Sequence, residues 1–221
     1  MKRRSLLVLL ASLALAVLCN AATDAEAEAA AYWAVVTGRA DKIVAVLALD
    51  DKAKVLRVRD LVAGYYRDLR DVHETRDTAL ARARADGVSA DEAALARVRE
   101  EADLRLFRVH TTFVARLSVE LEAGQVEAVK DGLTYGVVPN TWRVYREMYP
   151  ELSDEQRRQI LAWLVEAREY AMQGGSSHEK HAWFGKYKGR IANFLSAAGY
   201  DAKAAEKQWF ERQRTGKTGT P

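Results

Sequence analysis

Cysteine and proline are almost missing from this chain of 221 residues. The one cysteine, Cys19, lies in a leader-like segment, so no disulfide framework can staple the fold and a packed core must hold it. The three prolines stand at 139, 150 and 221, which leaves the first half of the chain without the strongest helix breaker. Runs of alternating apolar residues bounded by turn signals are scarce, which argues against a sheet. Catalytic signatures are lacking too. There is no nucleophile elbow, no glycine-rich phosphate loop, no cysteine–histidine pair and no motif that requires a cofactor.

An excess of charge of one sign is also missing once the N-terminus is set apart. Lys2, Arg3 and Arg4 precede an uncharged, Leu-rich run from Ser5 to Leu18, and Ala21 and Ala22 follow. This is the layout of a secretory signal peptide over residues 1–22, with cleavage after Ala21 or Ala22. The run of about 14 residues falls short of the roughly 20 that cross a bilayer, so no stable span is expected after cleavage. Lipid anchoring through Cys19 is disfavoured, because Leu18 stands where that signal needs a small residue. The whole chain carries 34 Lys+Arg against 31 Asp+Glu, and losing the three leader cations leaves 31 of each. A neutral mature chain offers no electrostatic reason to expect nucleic acid. The expected location is the periplasm or the exterior.

What is present is Ala, Arg, Glu, Leu and Val in helical rhythm. The expectation is an all-α fold, a single domain over residues 23–214 followed by a disordered tail at 215–221. It should be a multi-helix bundle with a long antiparallel hairpin over about residues 51–120 and a C-terminal group of shorter helices. A first helix spans Asp24 to Leu47, with Tyr32, Val36, Ala40, Ile43 and Val44 on one face. Val55, Val58, Val62, Tyr65, Leu69 and Val72 then alternate steps of three and four, a coiled-coil-like seam. Gly87 closes that helix and Ser89 opens the next. The third helix carries Leu95, Val98, Ala102, Leu106, Phe113 and Leu117, with Leu104, Phe107 and Val114 as a second stripe that predicts packing on two sides.

"QVEAVKDGLTYGVVPNTW" (125–142) reads as an irregular elbow flanked by short helices, around which Tyr135, Trp142, Tyr145 and Tyr149 gather. Ser153 with Gln156 forms a capping box for a helix to about Met172, and Ser176 with Glu179 another. "GYD" at 199–201 separates that helix from a last one ending near Arg214.

"SSHEKHAWFGKYKGR" (176–190) departs from the rest of the chain. At about 100° per residue from His178, Trp183, Phe194, Tyr187, Ile191, Phe184 and Leu195 fall between roughly 140° and 260°, a core-facing arc. The opposite face holds His181, Gly185, Lys186, Lys188, Gly189 and Asn193. Each glycine costs a helix about 1 kcal/mol relative to alanine. The benefit is close approach to bare backbone, either by another helix or the elbow, or by a ligand in a shallow groove. "HEKH" has Glu beside its first His, but the second His follows at three residues rather than the four of a zinc protease. His73 and His110 fall about 10 Å out of register across the hairpin. No metal site is expected.

"KDGLTYGVV" (130–138), "LAWLVEAREYAM" (161–172) and "EKHAWFGKYKGRIANFLSAAGYD" (179–201) resemble an exported bacterial family, domain of unknown function 3826. The likeness covers nearly all of the mature chain. That family is regarded as sugar-binding and accompanies polysaccharide-degrading systems, so the resemblance implies a carbohydrate ligand. The elbow residues Tyr135, Asn140, Trp142 and Tyr145, set beside the glycine face, would supply rings and a polar rim. "LSDEQ" (152–156) also looks like the Leu-Thr-x-x-Gln motif of small periplasmic stress chaperones, with Ser153 in place of Thr. The expected function is therefore non-catalytic carbohydrate binding. The alternatives are a chaperone-like scaffold built on the hairpin and a sugar-active enzyme using His181.

Overall fold

The computed structural model describes residues 26–85 and 92–217. The leader, residues 86–91 where caps at Gly87 and Ser89 are expected, and the last four residues lie outside them. The described residues form eight helices and no strand. They are α1 (26–45), α2 (Lys52–Ala85), α3 (Glu92–Glu120), α4 (Ala123–Leu133), α5 (Val137–Met148), α6 (Asp154–Met172), α7 (Ser177–Ala197) and α8 (Ala202–Lys217). The all-α bundle with a long hairpin and shorter C-terminal helices is the observed architecture. Among the described residues no helix is long and apolar enough to cross a membrane.

Local chemistry starts most of these helices as the sequence indicates, but the expected box at α7 is only half made: Ser176 Oγ accepts from the Glu179 N–H, while the Glu179 carboxylate accepts from the Gly175 N–H instead of the Ser176 N–H. Asp51 Oδ1 accepts from the Ala53 N–H at 2.8 Å and opens α2. Ser153 and Gln156 make the reciprocal capping box of α6, and Asp154 and Glu155 sit at its positive end. Asp201 Oδ1 accepts from the N–H groups of Lys203 and Ala204 to open α8. Gly199, with φ of 88°, ends α7 in the left-handed region. The last helix continues past Arg214 to Lys217.

Two apolar cores form. The first joins α1 to α4, with Val36, Val58, Val62, Leu117 and Val129 fully covered. Arg57 pairs with Glu120 at 3.0 Å and Tyr65 stacks on Phe113 at 4.1 Å, which sets the antiparallel register of α2 against α3. The second core joins α5, α6 and α7 around Ile160, Leu164, Ala167 and Ile191, with α8 resting on its edge. Trp209 Nε1 donates to Glu147 at 3.0 Å and ties α8 to α5.

Two details differ from the sequence reading. The elbow is only three residues long, Thr134 to Gly136, because Pro139 falls in the first turn of α5, where its missing N–H costs nothing. And α3 does not bury its second stripe: Leu104 is 60% and Phe107 59% exposed, while Val114 is half-buried. The α2 seam and the end of α6 take up only one side of α3, so these side chains are left over as surface.

Candidate functional site

The elbow meets the start of α7. Tyr135 holds φ of 61° and Gly136 φ of 65°, so two successive left-handed residues close α4. Such a conformation costs a side-chain-bearing residue roughly 1–2 kcal/mol. Tyr135 keeps it while its ring stacks on His181, centroids 5.4 Å apart and planes 13° from parallel. Asn140 stands exposed beside Gly136. Trp142 and Tyr145 instead turn inward against the second core, and burial pushes the Tyr145 hydroxyl up to about 12. Of the expected elbow residues, only Tyr135 reaches the α7 face.

That face is open. A Cβ added at Gly185 or Gly189 would meet nothing within 4 Å, so no helix seals the strip. His181, Lys186, Lys188 and Asn193 are all exposed, although His181 stacks on Tyr135 and the Lys186 ammonium lies 5.0 Å over the Trp183 ring. Openness leaves the backbone reachable, but these residues line a convex helix face rather than the concave pocket that usually holds a small ligand.

A concave site lies on the other flank of α7, where four helices converge on a cleft of about 370 Å³. Trp183 of α7 stacks on Tyr170 of α6, centroids 4.6 Å apart and 16° from parallel. Phe107 of α3, part of the leftover stripe, supplies a third ring. Asp103, Arg76 and Glu179 bring charge to the same lining. Glu179 is held in place, accepting from the Gly175 N–H at 2.7 Å and lying 3.9 Å from the Arg76 guanidinium. Asp103 is exposed and has no ion-pair partner among the described residues.

His73 completes the lining. Its Nε2 lies 2.9 Å from the Gln173 carbonyl, which can only accept, so Nε2 carries the proton. In a neutral ring with the proton on Nε2, Nδ1 carries a lone pair, and this atom is buried without a partner among the described residues. Gly175 exists for this ring: an added Cβ would fall 2.7 Å from His73 Cδ2. An orphaned acceptor is costly unless a donor reaches it, and ligand or water can supply one.

Between the cores runs a polar seam. Arg168, 2% exposed on α6, donates to Glu127 and, at 2.7 Å, to Asp131 of α4. Lys130 reaches Glu169 at 3.2 Å. His110 Nε2 donates to Glu169 at 3.1 Å, while its Nδ1 is 3.3 Å from the Tyr65 hydroxyl. Burial pushes Glu169 upward, but His110, Lys130 and Arg168 outweigh it and hold the carboxyl at about 2. Lys180 donates to the Leu133 carbonyl at 3.0 Å, the negative end of α4, and burial aided by Arg39 lowers it to about 8. As the seven-residue offset indicates, His73 and His110 do not meet; each engages a different stretch of the α6 end. Among the described residues no group of three His, Cys, Asp or Glu could hold a metal ion.

The sequence pointed at α7 and missed most of the cleft. Trp183 sat at the 140° edge of the core arc, where a ring is half-covered and half-free, and this was the available signal. Phe107 was read as packed. Tyr170, His73 and Asp103 lie on three other helices, and nothing in their local spacing joins them. Comparison with known proteins adds one finding: the profile of a family described as a protein of unknown function, DUF3826, matches residues 33–215. No curated protein matches the chain.

Proposed function

The chain belongs to the DUF3826 family, and from that premise we propose that it is an exported, non-catalytic protein that binds carbohydrate in the cleft between α2, α3, α6 and α7. The observation that carries this reading is the combination of ring surface and unpaired acceptors in one concavity. Phe107 and the edge of the Tyr170–Trp183 stack offer apolar surface to the C–H side of a pyranose. The free Asp103 carboxylate and the lone pair of His73 Nδ1 need O–H donors, and a sugar presents them around the same ring. Arg76 donates from the rim. The exposed Tyr135–His181 stack lies on a different flank of α7 and plays no part in this cleft.

Titration calorimetry with neutral oligosaccharides of xylose, glucose and arabinose tests the proposal. Binding should appear with at least one of them. Trp183→Ala should weaken it at least about tenfold, the size expected when a stacking ring is removed from a small site. Absence of heat with every glycan, or equal affinity in Trp183→Ala, would end this reading. The exposed Leu104 and Phe107 favour a second one, capture of unfolded polypeptide by the outer face of α3. Suppression of client aggregation that Phe107→Ser abolishes, without any glycan binding, would replace the first.

A further inference from the structure

A second groove lies on the other side of the α2–α3 hairpin, and the geometry points to an acidic glycan segment as its ligand. Its volume is about 430 Å³, and Trp33 of α1 forms one wall. The floor is apolar, made of Leu61, Val109 and the stacked pair Tyr65 and Phe113. The antiparallel register set by Arg57–Glu120 and Tyr65–Phe113 brings Asp60, Gly64 and Asp68 of α2 to the same groove as Arg116, Thr112 and Arg108 of α3, in that order along its length. A Cβ at Gly64 would meet nothing within 4 Å, so the groove is open over bare backbone there.

The charges at the two ends are not spent on each other. Asp60 pairs along α2 with Arg59 at 2.8 Å, and Asp68 with Arg67 at 3.0 Å. The guanidinium groups of Arg108 and Arg116 have no ion-pair or hydrogen-bond partner among the described residues, although the Arg108 carbonyl accepts from the Thr111 hydroxyl. They stand eight residues apart on α3, about 12 Å along the axis, both on the groove. Two idle guanidiniums at that spacing suit oxyanions carried on non-adjacent units of a chain. The remaining lone pairs of Asp60 and Asp68 suit hydroxyl donors, and Trp33 with the apolar floor suits C–H faces. A ligand that meets all three demands together is a glycan bearing carboxylate or sulfate groups. An acidic polypeptide meets only the first well, since it brings few hydroxyls to the two aspartates.

This inference is independent of the aromatic cleft, and the test keeps the two apart. The full chain is titrated with an oligogalacturonate, a heparin-derived oligosaccharide, a neutral oligosaccharide of equal length and poly-glutamate, at low and moderate salt. The expected result is binding of one or both acidic glycans that weakens with salt. Arg108→Ala/Arg116→Ala should lower it at least tenfold, and Trp183→Ala should leave it unchanged. Gly64→Leu should block the groove while the protein remains folded, as judged by circular dichroism and melting temperature. The carboxylate and sulfate probes distinguish which oxyanion is read. Failure of both acidic glycans to bind, or binding indifferent to the arginine pair and to Gly64→Leu, overturns the proposal. So does an arginine-dependent preference for poly-glutamate, which would assign the groove to an acidic protein. None of these outcomes alters the Trp183-dependent binding of neutral sugars on which the other reading rests.

Discussion

The two cores of this protein are built from different materials, and the difference explains where its surface becomes usable. The first core, under α1 to α4, is mostly Val, Leu and Ile at helical spacing. Compact branched side chains fill such a seam and leave little over. The second, under α5 to α8, is rimmed by rings: Trp142, Tyr145, Trp163, Trp183, Phe194 and Tyr200 are all only partly covered. A large ring at the edge of a small core buries one part and exposes the rest. The aromatic cleft opens where that edge meets the surplus stripe of α3. A polar seam, not a continuous apolar one, holds the two cores in register, and it runs through Arg168.

The largest expected effect comes from cutting that seam. Arg168→Ala leaves Asp131 without its cation and leaves Lys130 as the one remaining partner of Glu127 within this seam. Loss of about 3 kcal/mol is expected from urea denaturation, the usual order for breaking a buried ion pair from one side. The sharper reading is cooperativity. If the seam is what couples the cores, Arg168→Ala should unfold in two steps where the wild-type protein shows one. A single transition with unchanged midpoint would mean the cores do not depend on it.

Acid should loosen the seam next. Glu169 holds its proton at about 2 in the folded state, against an ordinary value of 4.5. Its contribution is complete above about pH 4.5 and fades as pH falls towards 2, because the unfolded state takes up the proton first. Discounted for partial exposure, this amounts to roughly 1–2 kcal/mol. Denaturation midpoints followed across that window should fall more steeply in the wild-type protein than in Glu169→Gln. Parallel curves would show that the His110 and Lys130 contacts do not matter to stability.

The smallest effect concerns the open face of α7. Gly185→Ala and Gly189→Ala should each raise stability by about 0.5–1 kcal/mol, because nothing occupies the space a methyl group would enter. Thermal melts check the sign. Glycan titration of the same variants sharpens the comparison between the two flanks of α7. Unchanged affinity keeps the ligand in the aromatic cleft, whereas loss of binding would return it to the glycine strip and the Tyr135–His181 stack.

Much of the fold could be read in the sequence because it is local. The α2 seam, the Ser153–Gln156 box, the Asp51 and Asp201 caps and the glycine stop at 199 each depend on residues within a turn or two of one another. Their physics is complete before any helix meets another. The cleft and the seam were illegible for the opposite reason. Arg168 resembles any surface arginine of an amphipathic helix until α4 brings Glu127 and Asp131 to it. Phe107 reads as core until α3 proves to have partners on one side only.

The sequence by itself thus determined the helices, most of their ends and the main apolar face of each, and it marked two glycines on a polar face whose openness only the packed structure decided. The tertiary structure alone decided which side chains from α2, α3, α6 and α7 share a cavity and which charges are buried together. Helical periodicity encodes direction about an axis, whereas a site depends on the angles and distances between axes, which are set only when the helices pack.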